Sequence, residues 1–430
     1  MKNLSDKMQQ CFSQSTMMLL KRVGAISKHM GCKAYLIGGT VRDLFLCKEN
    51  LDIDIVIEGD AIHFGERLAH ELHGIIISHK RFGTCTVTTP EYIKIDFATA
   101  RRETYAKPAA LPTVEFSSFR DDLTRRDFTV NAMAISLNEE GFGNLIDFFD
   151  GVGDIEKKQI KVLHDKSFVD DPTRILRGIR LEKRLGFTVE PHTANLMRKS
   201  IEKEIYKRVQ APRLRDEIIL TLKEKELFHT IKRMDEFRAL KIVHPYLKLH
   251  EDLSGTFTAI DEACSWYNDN SPRKRSIEKW LIYLMVLFND VSYDGTLYFC
   301  NKFELKRGER LRMISYKRQS SKVLKTLNAK RKILPSKIYR LLEPLSHEVT
   351  LLLMAVSRSG LGKGRIMEFF HKYNGMRTAV KGDDIKALGV KAGPHFAKIV
   401  EKILYKKLNG ILNNREEELE YAKKLAKRRL

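Results

Sequence analysis

Two aspartates one residue apart, Asp52 and Asp54, are the first residues in this chain whose type and spacing suggest chemistry. They lie in Leu51-Asp52-Ile53-Asp54-Ile55-Val56, where the alternating apolar residues place both carboxylates on one face of a strand. An acid pair beside apolar strand residues needs a counter-cation. Hard ions such as Mg²⁺ meet that need, preferring oxygen ligands and keeping bound waters. Ions bridged by the pair would activate an attacking hydroxyl and steady a leaving oxygen, so both residues are catalytic and metal-binding candidates. Upstream, Leu36-Ile37-Gly38-Gly39-Thr40-Val41-Arg42-Asp43 sets two glycines directly after a strand. Backbone N–H groups there can approach a phosphate closely, and Arg42, one turn into the next helix, can meet the same anion. A lone Gly-Gly or a lone acid pair is ordinarily a turn or a solvated edge. Their order, with strand residues between the acids, outweighs that reading. Asp96, in Lys94-Ile95-Asp96-Phe97, is a candidate third carboxylate and equally an ordinary half-exposed strand residue.

Two further segments are rich in side chains that grip nucleotides. In Asp121-Asp122-Leu123-Thr124-Arg125-Arg126-Asp127-Phe128-Thr129-Val130-Asn131, the arginines suit a triphosphate, and Asp127 and Asn131 suit sugar hydroxyls. The bland alternative is a charged helix start with Asp127 as its N-terminal carboxylate. In Asp170-Asp171-Pro172-Thr173-Arg174-Ile175-Leu176-Arg177-Gly178-Ile179-Arg180, arginines recur every third residue. Arg174 and Arg177 are near neighbours on a helix, but Asp171 and Arg180 end about half a turn apart. All four therefore cannot hold one base edge. A carboxylate with a planar guanidinium does imitate a base-pairing edge. Spacing alone would leave these arginines as a solvated helix face.

The elements that must position these residues change character along the chain. Lys33–Ile37, Leu51–Ile57, Gly83–Thr88 and Tyr92–Phe97 read as strands, and Asp60–Leu72 as a helix between them. This mixed unit ends near Asp150, where Asp150-Gly151-Val152-Gly153-Asp154 carries turn chemistry. Beyond Asp170 the pattern is helical. Pro172 suits a first turn, and Trp280–Phe288 and Glu348–Val356 are strongly apolar helix candidates. An i, i+4 ion pair of Arg213 and Glu217 is expected to brace the helix after Pro212. Basic residues crowd Lys302–Arg340, Arg310, Arg312 and Arg318 among them, and suit RNA phosphates. His63, His70 and His73 show no metal-ligand spacing and read as ordinary helix residues.

Composition narrows the partner. The 430 residues carry 77 Lys and Arg against 55 Asp and Glu, a formal charge of +22, which concentrates polyanions near the surface. Nucleic acid leads, with an anionic membrane surface competing. No run of about 18 apolar residues offers a membrane span, so no membrane partner is expected. The polar N-terminus and six scattered cysteines point to mostly buried, reduced thiols in a cytoplasmic protein.

Taken in order, these segments resemble the class II tRNA nucleotidyltransferase and bacterial poly(A) polymerase family. The matched motifs are Gly38-Gly39-x-x-Arg42-Asp43, Asp52-x-Asp54, Arg125-Arg126-Asp127-Phe128-Thr129-x-Asn131-Ala132 and Asp171-x-x-Arg174-x-x-Arg177-x-x-Arg180. Asp96–Tyr105 and Leu145-Ile146-Asp147 look like the same family's head, and a weaker likeness runs over Gly382–Ala422. The resemblance implies an α+β chain. A polymerase beta-like mixed-sheet nucleotidyltransferase head (1–150) precedes an all-helical neck (151–235), body (236–340) and tail (341–430), with body and tail holding tRNA. It further implies that Asp52 and Asp54 bind Mg²⁺, and that Gly39, Arg42 and Arg126 hold the triphosphate of CTP or ATP. Asp127 and Asn131 would face the ribose. Asp171 and Arg174 would read the base as a protein template, with Arg177 and Arg180 supporting them or touching phosphate.

One departure bears on the repertoire. Family members commonly carry Glu-Asp where this chain has Asp170-Asp171, and a shorter first acid alters how the template shifts between C and A. The stretch Arg101–Arg120, with Glu103, Pro108 and Pro112, fills the place of the head loop associated with adding A, which makes CC-only addition the least favoured of the three repertoires. Two rival readings remain: a poly(A) polymerase, and a catalytically silent RNA-binding protein, against which the intact Asp52, Asp54, Arg126 and Asp171 argue.

Overall fold

A computed structural model of the chain describes residues 2–48, 52–391 and 393–427, and its contacts divide into two compact units, 1–243 and 244–430.

The first unit is built on seven strands: β1 (Lys33–Ile37), β2 (Ile53–Glu58), β3 (Ile75–His79), β4 (Thr84–Thr88), β5 (Lys94–Thr99), β8 (Met133–Ser136) and β9 (Leu145–Asp147). Their order is β3-β4-β5-β2-β1-β8-β9. β2 runs parallel to β5 and antiparallel to β1, so the sheet is mixed. The crossover that makes β2 and β5 parallel includes the helix Ala61–Leu72, which buries Phe64, Leu68 and Ala69. Asp60 caps it, its carboxylate accepting the N–H groups of Ile62 and His63 at 2.9 and 3.1 Å. A separate hairpin, β6 (Arg101–Thr104) with β7 (Thr113–Phe116), stands beside the sheet.

Strand β1 falls where the sequence places it, and β2, β4 and β5 lie within two residues of their expected bounds. Leu51, the expected first residue of β2, lies outside the described residues. The expected turn at Asp150 is a left-handed residue, φ 59°, that starts the helix Gly151–Glu156. Asp147 accepts the N–H groups of Gly151 and Val152, each at 2.9 Å, and so fixes that turn.

The neck helix spans Thr173–Leu185, burying Ile175, Leu176 and Ile179, with Pro172 just before it and Gly186 ending it at φ 68°. The neck is not wholly helical, because β10 (Gln159–Ile160) and β11 (Thr188–Val189) form a short parallel pair. The second unit consists of helices among the described residues. Lys279–Leu287 and His347–Val356 are largely buried, as their apolar runs require. The helix Arg307–Leu327 buries Met313, Tyr316 and Val323 and exposes Arg310, Arg318 and Lys322. Arg312 differs from these neighbours: it donates to Glu348 at 2.8 Å and also pairs with Glu278, so it is a packing residue.

Of the six cysteines only Cys85, Cys264 and Cys300 are buried, fewer than expected, and Cys11 and Cys47 are exposed. Among the described residues no helix is long and apolar enough to cross a membrane.

Candidate active site

Gly38 leaves β1 with φ 71°, a conformation that strains any residue with a Cβ. A Cβ added there would stand 3.2 Å from Arg126 Nη1 and 4.0 Å from Asp54 Oδ2, so this turn brings backbone, acid and arginine together. Thr40 Oγ1 donates to the Asp52 carbonyl at 2.7 Å and ties the turn to the start of β2. Asp54 is in register with Asp96 on β5, so two carboxylates meet across adjacent strands. Thr86 donates to Asp96 at 2.5 Å. Burial pushes the Asp54 carboxyl above its ordinary range, Asp96 and Asp52 push the same way, and Arg126 opposes them.

Arg42 is buried and fixed before any ligand arrives. Its Nε and Nη2 donate to the two Asp43 oxygens, each at 2.9 Å, and its Nη1 donates to Asn131 at 2.6 Å. Asn131 in turn donates to Asp127 at 3.1 Å. Asp127 does not open a helix. The capped helix Phe119–Thr124 has already ended, and Asp127 sits in the turn before β8. Burial alone would raise its carboxyl, yet Arg177, the Asn131 amide, Arg174 and the Phe128 N–H together hold it below the usual range.

The neck helix reaches this turn because residue 178 is glycine. A Cβ there would lie 2.8 Å from the Phe128 ring and 2.6 Å from Met197. Arg174 donates to Ser167 Oγ at 2.8 Å and to the Arg125 carbonyl at 2.6 Å, and Arg177 pairs with Asp127 at 3.3 Å. Arg180 turns away to Glu217 at 2.8 Å. The expected pair of Arg213 with Glu217 is therefore replaced. Arg213 donates instead to Asp171 at 2.7 Å, while Thr173 holds the other Asp171 oxygen. The half-turn offset explains the exchange, since Arg180 cannot reach Asp171 and needs its own acid.

One cavity of about 910 Å³ collects all the candidate residues: Gly39, Arg42, Asp52, Asp54, Arg126, Asp127, Asn131, Asp171, Arg174, Arg177 and Arg180. It also takes in residues that sequence reasoning did not assign to it. Arg213 is one. Glu103 is another, accepting from Arg101, Arg125 and Tyr105 at 3.0, 3.1 and 2.9 Å. The Arg-Arg motif offered a signal for Arg125; nothing local offered one for Arg213. Four arginine N–H groups on the lining, Arg101 Nε, Arg126 Nε, Arg180 Nε and Arg213 Nη1, are buried and find no partner among the described residues. Unused buried donors are uncommon and mark a place where an acceptor is wanted.

Mixed sheet, glycine turn, acid pair and arginine-lined neck define a nucleotidyltransferase fold. A family model described as the poly A polymerase head domain matches residues 34–161. Another, described as the probable RNA and SrmB-binding site of polymerase A, matches residues 186–250. The A-adding tRNA nucleotidyltransferase of Geobacter sulfurreducens is 36% identical over 415 residues, covering 96% of this chain and 47% of the relative. The CC-adding tRNA nucleotidyltransferase of Deinococcus radiodurans is 34% identical over 218 residues, 51% of this chain and 57% of the relative. The chain spans about half the length of the curated relatives it matches. A solved CCA-adding enzyme, apo form II, superposes with TM-score 0.82 at 33% identity over 97% of this chain and 98% of that one. The Thermotoga maritima CCA-adding enzyme complexed with tRNA gives 0.75 at 31% identity, covering 98% of each chain. The chain belongs to the class II CCA-adding and poly(A) polymerase family.

Members of this family are metal-dependent. Among the described residues no three His, Cys, Asp or Glu side chains cluster to hold an ion by themselves. Two carboxylates are nevertheless what a hard cation needs when it arrives with a triphosphate, whose oxygens and waters complete its shell. The acid-rich surroundings of Asp54 fit a cation and fit little else.

Proposed function

We propose that the protein transfers nucleotides from CTP or ATP to the 3′ end of tRNA in the cytoplasm, adding all of the CCA end or its terminal A. It does so without a nucleic-acid template and releases pyrophosphate. The supporting observation is that one cavity holds the acid pair, the glycine turn and the neck arginines together. Residues 1–150 would be the catalytic head, 151–235 the base-reading neck, and 236–340 and 341–430 the body and tail that hold tRNA.

Asp52 and Asp54 would hold Mg²⁺, which when bound lowers the pKa of a hydroxyl and neutralises phosphate charge. Gly39 offers its backbone to the triphosphate, and Arg42 and Arg126 offset the charge that builds on departing pyrophosphate. Because Arg42 is already locked by Asp43 and Asn131, it meets the phosphate without reorganising. Asp127 and Asn131 orient the ribose. Asp171 and Arg174 present a carboxylate and a guanidinium to the base edge, and C and A are read there in place of a template strand. Arg177 and Arg180, tied to Asp127 and Glu217, would support that pair from the same helix or touch phosphate.

The test supplies tRNA ending at the discriminator base, after C, or after CC, with CTP and ATP separately. A single A added to the CC end, with no C added to shorter acceptors, is favoured by the Geobacter, Aquifex and Halalkalibacterium relatives, all A-adding enzymes. Long A tails on generic RNA would instead indicate a poly(A) polymerase. Asp52→Ala is expected to bind tRNA and incorporate nothing. Unchanged turnover in that variant, or turnover that survives removal of divalent ions, would defeat the proposal.

A further inference from the structure

At the mouth of the cavity one large aromatic side chain stands in solvent, and a second stands just outside the lining. Phe82, between β3 and β4, is 55% exposed and Phe116, on β7, is 79% exposed. Their setting is ordered. In the β6–β7 hairpin Arg101 is directly opposite Phe116 and Glu103 is opposite Val114, so these four share one face. Arg101, Glu103 and Val114 line the cavity, which makes that face its outer wall. Phe116 closes against the loop that carries Phe82, its ring 3.4 Å from where a Cβ on Gly83 would stand. Arg101 Nη1 donates to the Phe82 carbonyl at 3.4 Å, while its Nε is buried with no partner among the described residues. The Arg81 guanidinium lies 5.6 Å above the Phe82 ring. Single exposed apolar residues are ordinary, but Phe82, Leu111, Val114 and Phe116 are exposed together, and rings flanked by arginine suit a partner that is flat and anionic at once.

We infer that Phe82, with Phe116 beside it, is a stacking platform for the 3′-terminal base of the RNA acceptor, and that Arg81 and Arg101 hold the adjoining phosphate. The inference rests on the nucleotidyl-transfer reading and names how the acceptor end is positioned over the acids. Stacking tolerates any base, because each has a π face, whereas the incoming nucleotide is selected at the neck.

The test uses the full chain and an acceptor-stem minihelix ending in CC, with 2-aminopurine as its 3′-terminal base for the binding arm. Binding to wild-type protein quenches the fluorophore. In Phe82→Ala the quench is lost and the KM for RNA rises about tenfold or more, the order set by one lost base–aromatic stack, while the KM for ATP and kcat hold. Phe116→Ala shows a smaller change of the same kind. Phe82→Trp restores quench and KM, and Phe82→Leu, of similar bulk without a π face, does not. A quench that persists in Phe82→Ala, or rescue by leucine, overturns the platform. Wild-type protein that quenches the probe yet incorporates no nucleotide would end the transfer reading and leave the platform standing.

Discussion

The acid strand and the neck helix line the same cavity, yet their charges are balanced in opposite ways. Asp54 has Asp96 and Asp52 as neighbours, and burial adds to their repulsion. On the neck each arginine has a fixed acceptor: Ser167 and the Arg125 carbonyl for Arg174, Asp127 for Arg177, Glu217 for Arg180. A surface that reads a base, the role proposed for the neck, must hold its shape before the ligand arrives, so fixed internal partners suit it. A site for a cation works the other way. Its repulsion is stored in the empty protein and released when positive charge enters. On the proposed reading, the same charged residue types would serve rigidity on one wall and affinity on the other.

The sharpest way to break this contrast is to make the same chemical change on both walls. Asp54→Asn should reduce nucleotide incorporation by about a thousandfold or more, since several kcal/mol of charge stabilisation depend on a cation held there. The same variant should melt at a higher temperature than wild type without divalent ions. A carboxyl raised on folding destabilises the folded state wherever it is ionised, and asparagine removes that charge. Glu217→Gln should do the reverse. It takes the nearer of two acids from the buried Arg180 guanidinium, leaving Glu224 at 3.6 Å, and lowers stability by about 2 kcal/mol, with a smaller loss of turnover. Thermal melts of the two variants beside their incorporation rates decide the matter. Stability changes of one sign in both would erase the distinction.

How much of this was legible in the sequence depended on distance along the chain. Gly38, Asp52 and Asp54 were readable because a turn and a strand alternation are local patterns. The stripe Arg174, Arg177, Arg180 was readable as a helix face, and its geometry already said that Arg180 could not share an edge with Asp171. Which acid each arginine would choose was not readable. Arg213 reaches back 42 residues to Asp171, while Glu217 at i+4 offered a nearer and misleading partner. Strand β8 was hidden for a different reason. Met133–Ser136 is buried at every position, so it shows no alternation, and it follows a charged run that reads as a helix start. The β6–β7 hairpin has four-residue strands; Thr113-Val114-Glu115-Phe116 does alternate, but the run is too short to stand out and its apolar residues are exposed.

Arg213 gives a finer test of the neck. Its bond fixes one Asp171 oxygen while Thr173 fixes the other, so the carboxylate has a set orientation. Arg213→Ala should leave incorporation of some nucleotide in place but compress the preference between CTP and ATP by about tenfold, the low end of what one base-edge contact discriminates. Comparing kcat/KM for the two nucleotides measures it directly. An unchanged ratio would show that Asp171 needs no brace, and the neck would lose its claim to internal ordering.

The smallest effect lies at the joint between the two walls, where Asp127 of the head meets Arg177 and Arg174 of the neck and the Asn131 and Phe128 N–H groups of its own turn. Its carboxyl is held below the ordinary 3.8, so the folded state keeps the charge at a pH where the unfolded chain has begun to bind a proton. The stability it contributes is complete above the ordinary value and is lost as pH falls through the depressed one. Asp127→Asn cannot titrate. It should start less stable at neutral pH by on the order of 1 kcal/mol and then lose less on acidification below about 4. Paired melting curves from pH 7 to pH 3 would show the two profiles converging at the acid end. Parallel profiles would mean that Arg177 and Arg174 do not hold this carboxylate, and that the neck is joined to the head by packing at Gly178 and Phe128 alone.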